Sequence, residues 1–166
     1  MIHPASVPVP AHTAALTIAE VSRDTWFAAT QLSVAPEQIA HSSAPVVYWL
    51  AESRFEGHFR PMLISRGDTP VGFLVYGIDP DDDEYWLITF MIDHRFQAQG
   101  LGRQALQAFL RRFDHDHPRR VIRLGHHPEN AVAAHLYDSL GFRPTGEVIG
   151  GEVIRERPPA VAPGQD

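Results

Sequence analysis

Asp93-His94-Arg95-Phe96-Gln97-Ala98-Gln99-Gly100-Leu101-Gly102 is the stretch on which the fold turns. Before it lies an apolar run, Tyr85 to Ile92 broken only by Thr89, which reads as a strand covered on both faces. After it, Leu106, Phe109, Leu110 and Phe113 share one face of a helix, and Arg103, Gln104, Gln107 and Arg111 share the other. A glycine-rich turn between strand and helix lets backbone N–H groups converge with no side chain in the way, and it opens on the positive end of the helix dipole. Such a turn is built for a pyrophosphate. Arg95 and Arg103 flank it and add positive charge.

Two other readings of this turn compete. Its glycines could serve only a tight connection. Gly100-Leu101-Gly102-Arg103-Gln104-Ala105 also fits the G-x-G-x-x-A of dinucleotide folds. That match comes two-thirds of the way along the chain, with room for one β-α-β unit after it, and the next strand ends Leu124-Gly125-His126-His127 with no acid to hold a ribose.

Working outward, strands are expected over 16–21, 62–65, 71–78, 84–92 and 121–124, with a last hairpin, 142–149 and 152–155, around Gly150-Gly151. Helices are expected from Ser22 or Asp24 to about Leu32, over 45–56, over 101–113, and from an Asn130 cap through Leu140 to Gly141. The order is β, α, α, then β-β-β, α, β, α, β-β, an α/β (α+β) chain forming a mixed sheet with helices on both faces. Residues 1–14 and 157–166 are Pro-rich and lack periodicity, so each is expected to be a flexible tail around one domain over 15–156.

At 166 residues the chain suits a single domain that buries about two-thirds of its unfolded surface. It has no cysteine, which excludes disulfides, thiolate metal sites and Cys nucleophiles. Net charge is −6 and all 14 basic residues are arginine. That balance argues against nucleic acid as a partner and favours a cationic small molecule. No apolar run approaches the roughly 20 residues of a membrane helix, and no basic-then-apolar leader opens the chain, so a cytoplasmic protein is expected with no membrane partner. Five carboxylates in residues 79–84 lack the ligand spacing of a calcium loop and read as a solvated turn. The pairs His115/His117 and His126/His127 sit at opposite ends of one strand, about 20 Å apart, so no metal is expected. Trp26, Tyr48, Trp49 and Phe55 are expected mainly in the core.

Gln97-Ala98-Gln99-Gly100-Leu101-Gly102 resembles the Gln/Arg-x-x-Gly-x-Gly/Ala motif of the GNAT superfamily of N-acetyltransferases. The strand ending Met91-Ile92-Asp93, the helix Asn130-Ala131-Val132-Ala133-Ala134-His135-Leu136-Tyr137, and its exit Leu140-Gly141-Phe142-Arg143 resemble that family in the same order. The resemblance implies a single mixed, mostly antiparallel sheet of six to seven strands flanked by about four helices, with acetyl-CoA as co-substrate. Val34-Ala35-Pro36-Glu37-Gln38, residues 71–77 and Pro144-Thr145-Gly146-Glu147 further resemble bacterial spermine/spermidine acetyltransferases.

By that resemblance, residues Gln97, Ala98, Gln99, Gly100, Leu101, Gly102 and Arg103 hold the pyrophosphate, Met91 and Ile92 offer backbone groups to the pantetheine arm and the oxyanion, and Asn130 and Ala133 lie along the cofactor. Tyr137 is the expected acid for the leaving thiolate. No carboxylate lies in the middle of the fourth strand, Leu87-Ile88-Thr89-Phe90, where many relatives carry their base, so Glu84 and Glu37 are the remaining candidates. The expected reaction is acetylation of a small primary amine, a polyamine before others. A protein or amino-sugar acceptor and a non-catalytic acetyl-CoA sensor stay open. A homodimer through an edge strand at 152–155 is a further expectation.

Overall fold

The computed structural model describes residues 14–41 and 44–160, so the tail expected over the first residues lies outside them. Seven strands, β1 (Leu16–Glu20), β2 (Phe59–Arg66), β3 (Thr69–Asp79), β4 (Glu84–Ile92), β5 (Ile122–His126), β6 (Arg143–Ile149) and β7 (Glu152–Arg157), form one sheet ordered β1-β2-β3-β4-β5-β7-β6. Only β4 and β5 run parallel. Four helices among the described residues, α1 (Trp26–Thr30), α2 (Val46–Phe55), α3 (Leu101–Asp116) and α4 (Ala131–Ser139), flank it, with a 3₁₀ turn at Pro36–His41. This is the mixed, mostly antiparallel α/β architecture expected.

Two apolar layers hold the helices to the sheet. On one face, α3 sets Leu106, Phe109, Leu110 and Phe113 against Ile64, Leu74, Leu87 and Leu124, with Leu136 and Tyr137 of α4 at the margin. Each such side chain contributes about 1.5–3 kcal/mol on leaving water. On the other face Ala29, Leu32 and Val46 cover Leu63, Phe73 and Val75. In β4 the alternation slips. Val75 pairs with Thr89 and Tyr76 with Leu87, so Ile88 is an extra residue, a β-bulge. Leu87, Phe90 and Ile92 therefore pack on the α3 side, while Ile88 and Met91 pack on the α2 side.

Several expectations change. The strand at 152–155 is not an edge, because β7 lies between β5 and β6, and β6 is the rim. The C-terminal tail does not begin at Arg157: that residue belongs to β7, and its guanidinium grips both oxygens of Asp114 on α3, at 2.8 and 2.7 Å. Helix α1 is only five residues long, because Ser22 and Thr25 bond each other's backbone and side chain in a turn ahead of it. Trp26, Tyr48 and Phe55 are exposed rather than core, and only Trp49 packs against the second apolar layer.

Candidate active site

Strands β4 and β5 pair only at Tyr85 with Ile122 and Trp86 with Arg123. Beyond that they part, and the β5-facing edge of β4 is left without a neighbouring strand. A cavity of about 280 Å³ opens in the gap. Its walls come from residues 87–91 of β4, from 124–127 of β5 and the loop after it, from Asn130, Ala133 and Tyr137 of α4, and from Glu152. The segment between α1 and α2, including Ser33, Val34 and Ile39, closes the remaining side.

That segment is tied down from the loop that joins β4 to α3. Asp93 is fully buried, and its Oδ2 accepts the Ser33 N–H at 3.0 Å while the Ser33 carbonyl accepts the His94 N–H at 2.9 Å. Burial pushes the Asp93 carboxyl up, but hydrogen bonds from the Arg95 guanidinium and from the Ser33 and Arg95 N–H groups outweigh it and hold the group below the usual carboxylate range. Arg95 is thus committed to Asp93, through Nε at 2.7 Å and Nη2 at 3.2 Å. Gln97 makes a second tie, its Nε2 donating to the Ile92 carbonyl at 3.0 Å and to Gln38 Oε1 at 2.9 Å. Its side chain clamps the loop to the end of β4.

The loop between β4 and α3 is shaped by two left-handed residues. Ala98 and Gly100 both adopt left-handed backbone, φ 60° and 73°, which turns successive N–H groups toward one point. Gly100 is the N-cap of α3 and no side chain caps that end, so its first N–H groups are left for a ligand. Helix α4 differs, since Asn130 Oδ1 accepts the Ala133 N–H at 3.1 Å. Leu101 is buried as an anchor, while Gln99 and Arg103 are exposed at the cradle. Arg66 of β2, a cation sequence reasoning missed, donates to Gln99 Oε1 at 3.1 Å.

Tyr137 faces the cavity from α4, its ring 6.0 Å from that of His126 and 5.9 Å from Phe142. Among the described residues no group hydrogen-bonds its hydroxyl. Burial, then the negative charge of Glu152, pushes its pKa up to about 12. The two carboxylates expected as base are not brought to it. Glu84 starts β4 opposite Asp79, about 16 Å along the strand from Thr89. Glu37 is exposed, and Val34 and Ile39 on either side reach the cavity wall while it does not. The wall carboxylate is Glu152, whose only sequence signal is its place directly after Gly150-Gly151.

Residues 21–142 match the Acetyltransferase (GNAT) family. The chain belongs to that family. GNAT enzymes move an acetyl group from acetyl-CoA to an amine. Over 147 residues this GNAT chain is 31% identical to the spermine/spermidine N(1)-acetyltransferase of Bacillus subtilis strain 168, covering 84% of this chain and 95% of that protein. An acetyltransferase from Thermus thermophilus superposes with a TM-score of 0.69 at 25% identity, covering 87% and 97% of the two chains. The PaiA N-acetyltransferase of Thermoplasma acidophilum, solved in complex with coenzyme A, shares the fold at a TM-score of 0.61 and 15% identity, covering 87% and 99%. Among the described residues no group of His, Asp or Glu is placed to hold a metal ion, and no helix is long and apolar enough to cross a membrane.

Proposed function

We propose that this enzyme acetylates a primary amine of a small molecule, a polyamine before others, by direct attack of the amine on the thioester of acetyl-CoA. The observation that carries the reading is that residues 87–91 of β4, the strand leading directly into the glycine-rich and uncapped start of α3, line the same cavity as Tyr137. The Met91 carbonyl faces β3 beside Gly72, so along the parted edge of β4 it is the Ile92 N–H that is offered to a strand-like arm, and Asn130 and Ala133 line the opposite wall. The B. subtilis relative is a spermine/spermidine acetyltransferase by name, and an acidic protein suits a polycationic acceptor.

Tyr137 acts as the acid that protonates the leaving thiolate. At about 12 it is fully protonated at neutral pH. Passing its proton to a thiolate near 8.5 runs uphill by about 3.5 units, roughly 5 kcal/mol. That fits within a barrier of about 15 kcal/mol for turnover near 10² s⁻¹.

The test is release of free thiol from acetyl-CoA with spermidine, spermine, short diamines, amino-sugars and a basic peptide in turn. The protein has no cysteine of its own to react with the thiol reagent. Turnover is expected with the polyamines. Turnover with the basic peptide or amino-sugars alone would overturn the acceptor class. The absence of a carboxylate from the middle of β4 favours a non-catalytic sensor as the second reading. Silence with every amine, while acetyl-CoA still raises the melting temperature, would select it.

A further inference from the structure

An ammonium must lose a proton before it can attack, and few groups on the cavity wall can take one. A neutral imidazole accepts only through an unoccupied nitrogen lone pair. His126 has none: Arg155 Nε donates to its Nε2 at 2.8 Å, and its Nδ1 lies 2.9 Å from the His127 carbonyl oxygen, so Nδ1 carries the proton. His127 accepts the Glu129 N–H at Nδ1, 3.3 Å away, which leaves the proton of the neutral ring on Nε2. Asn130 is an amide already serving as a cap. Of the described wall residues only Glu152 is a carboxylate.

Glu152 is placed for the task by a specific absence. It is the first residue of β7, and Val153 beside it pairs with His126 at the end of β5. Its side chain folds back over Gly125. A Cβ at Gly125 would lie 2.5 Å from Glu152 Oε2 and 3.3 Å from its Cβ, so any side chain there would push the carboxylate off its seat.

The geometry points to Glu152, seated on Gly125, as the residue that receives the ammonium of the acceptor and takes its proton, which restricts the enzyme to acceptors bearing a cationic primary amine. This rests on the acetyl-transfer reading above. The N–H bond of the ammonium breaks and Glu152 gains the proton. The freed nitrogen lone pair forms the N–C bond to the thioester carbonyl carbon. The C–S bond breaks as the carbonyl re-forms, and the sulfur leaves with the proton of Tyr137. The second nitrogen proton restores Tyr137, and Glu152 returns its own to solvent. The sum is ammonium plus acetyl thioester giving amide, thiol and one proton. The two roles reinforce each other. The charge of Glu152 is one of the things that holds Tyr137 protonated, and that charge is gone once Glu152 has taken the ammonium's proton, before the Tyr137 proton has to leave.

The experiment compares the wild type, Glu152→Gln and Gly125→Ala in kcat/KM for spermidine between pH 7 and 10, with the KM for acetyl-CoA and the melting temperature as controls. Glu152→Gln is expected to lose about 10²-fold at pH 7.5, with less lost as pH approaches the amine's own pKa of about 10, where free amine needs no base. Gly125→Ala should lose less, in the same direction, and both should keep the acetyl-CoA KM. A wild-type pH profile in Glu152→Gln would overturn the assignment. So would an equal loss at every pH accompanied by a weaker acetyl-CoA KM, which marks a structural role. Calorimetric binding of spermidine to the coenzyme A-loaded protein separates this assignment from the acetyl-transfer reading. If the wild type acetylates nothing, at least tenfold weaker spermidine binding in Glu152→Gln still supports Glu152 as the ammonium site, and equal binding overturns it.

Discussion

Arg155 Nη1 stands 2.6 Å from Asp138 Oδ1, joining β7 to the residue that follows Tyr137 on α4. The same guanidinium holds His126 at the end of β5, and Arg155 is only 7% exposed. One buried cation thus ties together the three elements that frame the tyrosine. Arg155→Ala leaves the buried His126 nitrogen without its donor and takes the nearer cation from Asp138, whose half-exposed carboxylate keeps water and Arg143 at 3.9 Å. It is expected to cost about 2–3 kcal/mol, a fall in melting temperature of roughly 5–10 °C for a domain of this size. Turnover should drop further than residual folding explains, since α4 loses its tether. Thermal unfolding within about 2 °C of wild type would show that the ion pair contributes little.

Tyr137→Phe removes the hydroxyl and keeps the ring that packs on Phe142 and His126. If Tyr137 is the acid, kcat should fall by about 10²–10³-fold, with the KM for acetyl-CoA within twofold of wild type, because the missing interaction forms only as sulfur leaves. Steady-state kinetics at saturating acetyl-CoA decide it, and an unchanged kcat would remove Tyr137 from the mechanism.

The same residue should leave a mark on stability at high pH. A tyrosine near 10 when unfolded and about 12 when folded keeps its proton longer in the native state. Its contribution is fully present below pH 10 and lost as pH rises through 12, roughly 2–3 kcal/mol in all. Urea unfolding of wild type and Tyr137→Phe at pH 9.5 and 11.5 isolates this from the other tyrosines. The wild type should lose the larger share of its stability, and parallel losses would mean that the hydroxyl stays in contact with water.

The order of elements was legible because each was announced locally. Asn130 caps α4, Gly100 opens α3, and the apolar run of β4 precedes a glycine-rich turn. The pairing was less so: nothing in the chain near Glu152 says that β7 inserts beside β5, and that insertion is what carries a carboxylate to the cavity while Glu84 and Glu37 stay away. Ala98 gives no sign of its left-handed backbone, since alanine reads as ordinary loop. The bulge at Ile88 is invisible because its neighbours are apolar on both sides. In α2, Tyr48 and Phe55 are exposed although aromatic, so side-chain type alone misplaced them.

Asp93 is the point where the loop between β4 and α3 meets the cavity cover, so under the proposed function its loss should be felt by both substrates. Asp93→Asn keeps the size but turns one acceptor into a donor facing the Ser33 N–H and Arg95. A cost of about 2–3 kcal/mol is expected, with a higher KM for acetyl-CoA and for the amine. The folded carboxyl is depressed, so its contribution is present above pH 4 and is lost as pH falls through the lower folded value. Acid unfolding should accordingly be shallower in Asp93→Asn than in wild type, and an identical acid limb would count against the pairing of Asp93 with Arg95.

Gly100 and Gly102 allow fold and ligand binding to be separated within the cradle. Gly100 has φ 73°, so Gly100→Ala meets the left-handed penalty, about 1–2 kcal/mol, even though the nearest atom to the new methyl, Gln104 Nε2, is 3.8 Å away. Gly102 lies inside the first turn of α3 with ordinary backbone, and a methyl there would sit 3.9 Å from Ile92 and Phe90. Gly102→Ala should therefore match or exceed wild-type stability by up to about 1 kcal/mol, as alanine favours helix. Any loss of acetyl-CoA affinity in Gly102→Ala then reports the ligand's approach to the backbone rather than a damaged fold. Calorimetric titration with acetyl-CoA, beside urea unfolding, reads both quantities. If Gly102→Ala unfolds early, the room seen around this residue is wrong; if Gly100→Ala keeps both stability and affinity, the left-handed turn is not what shapes the cradle.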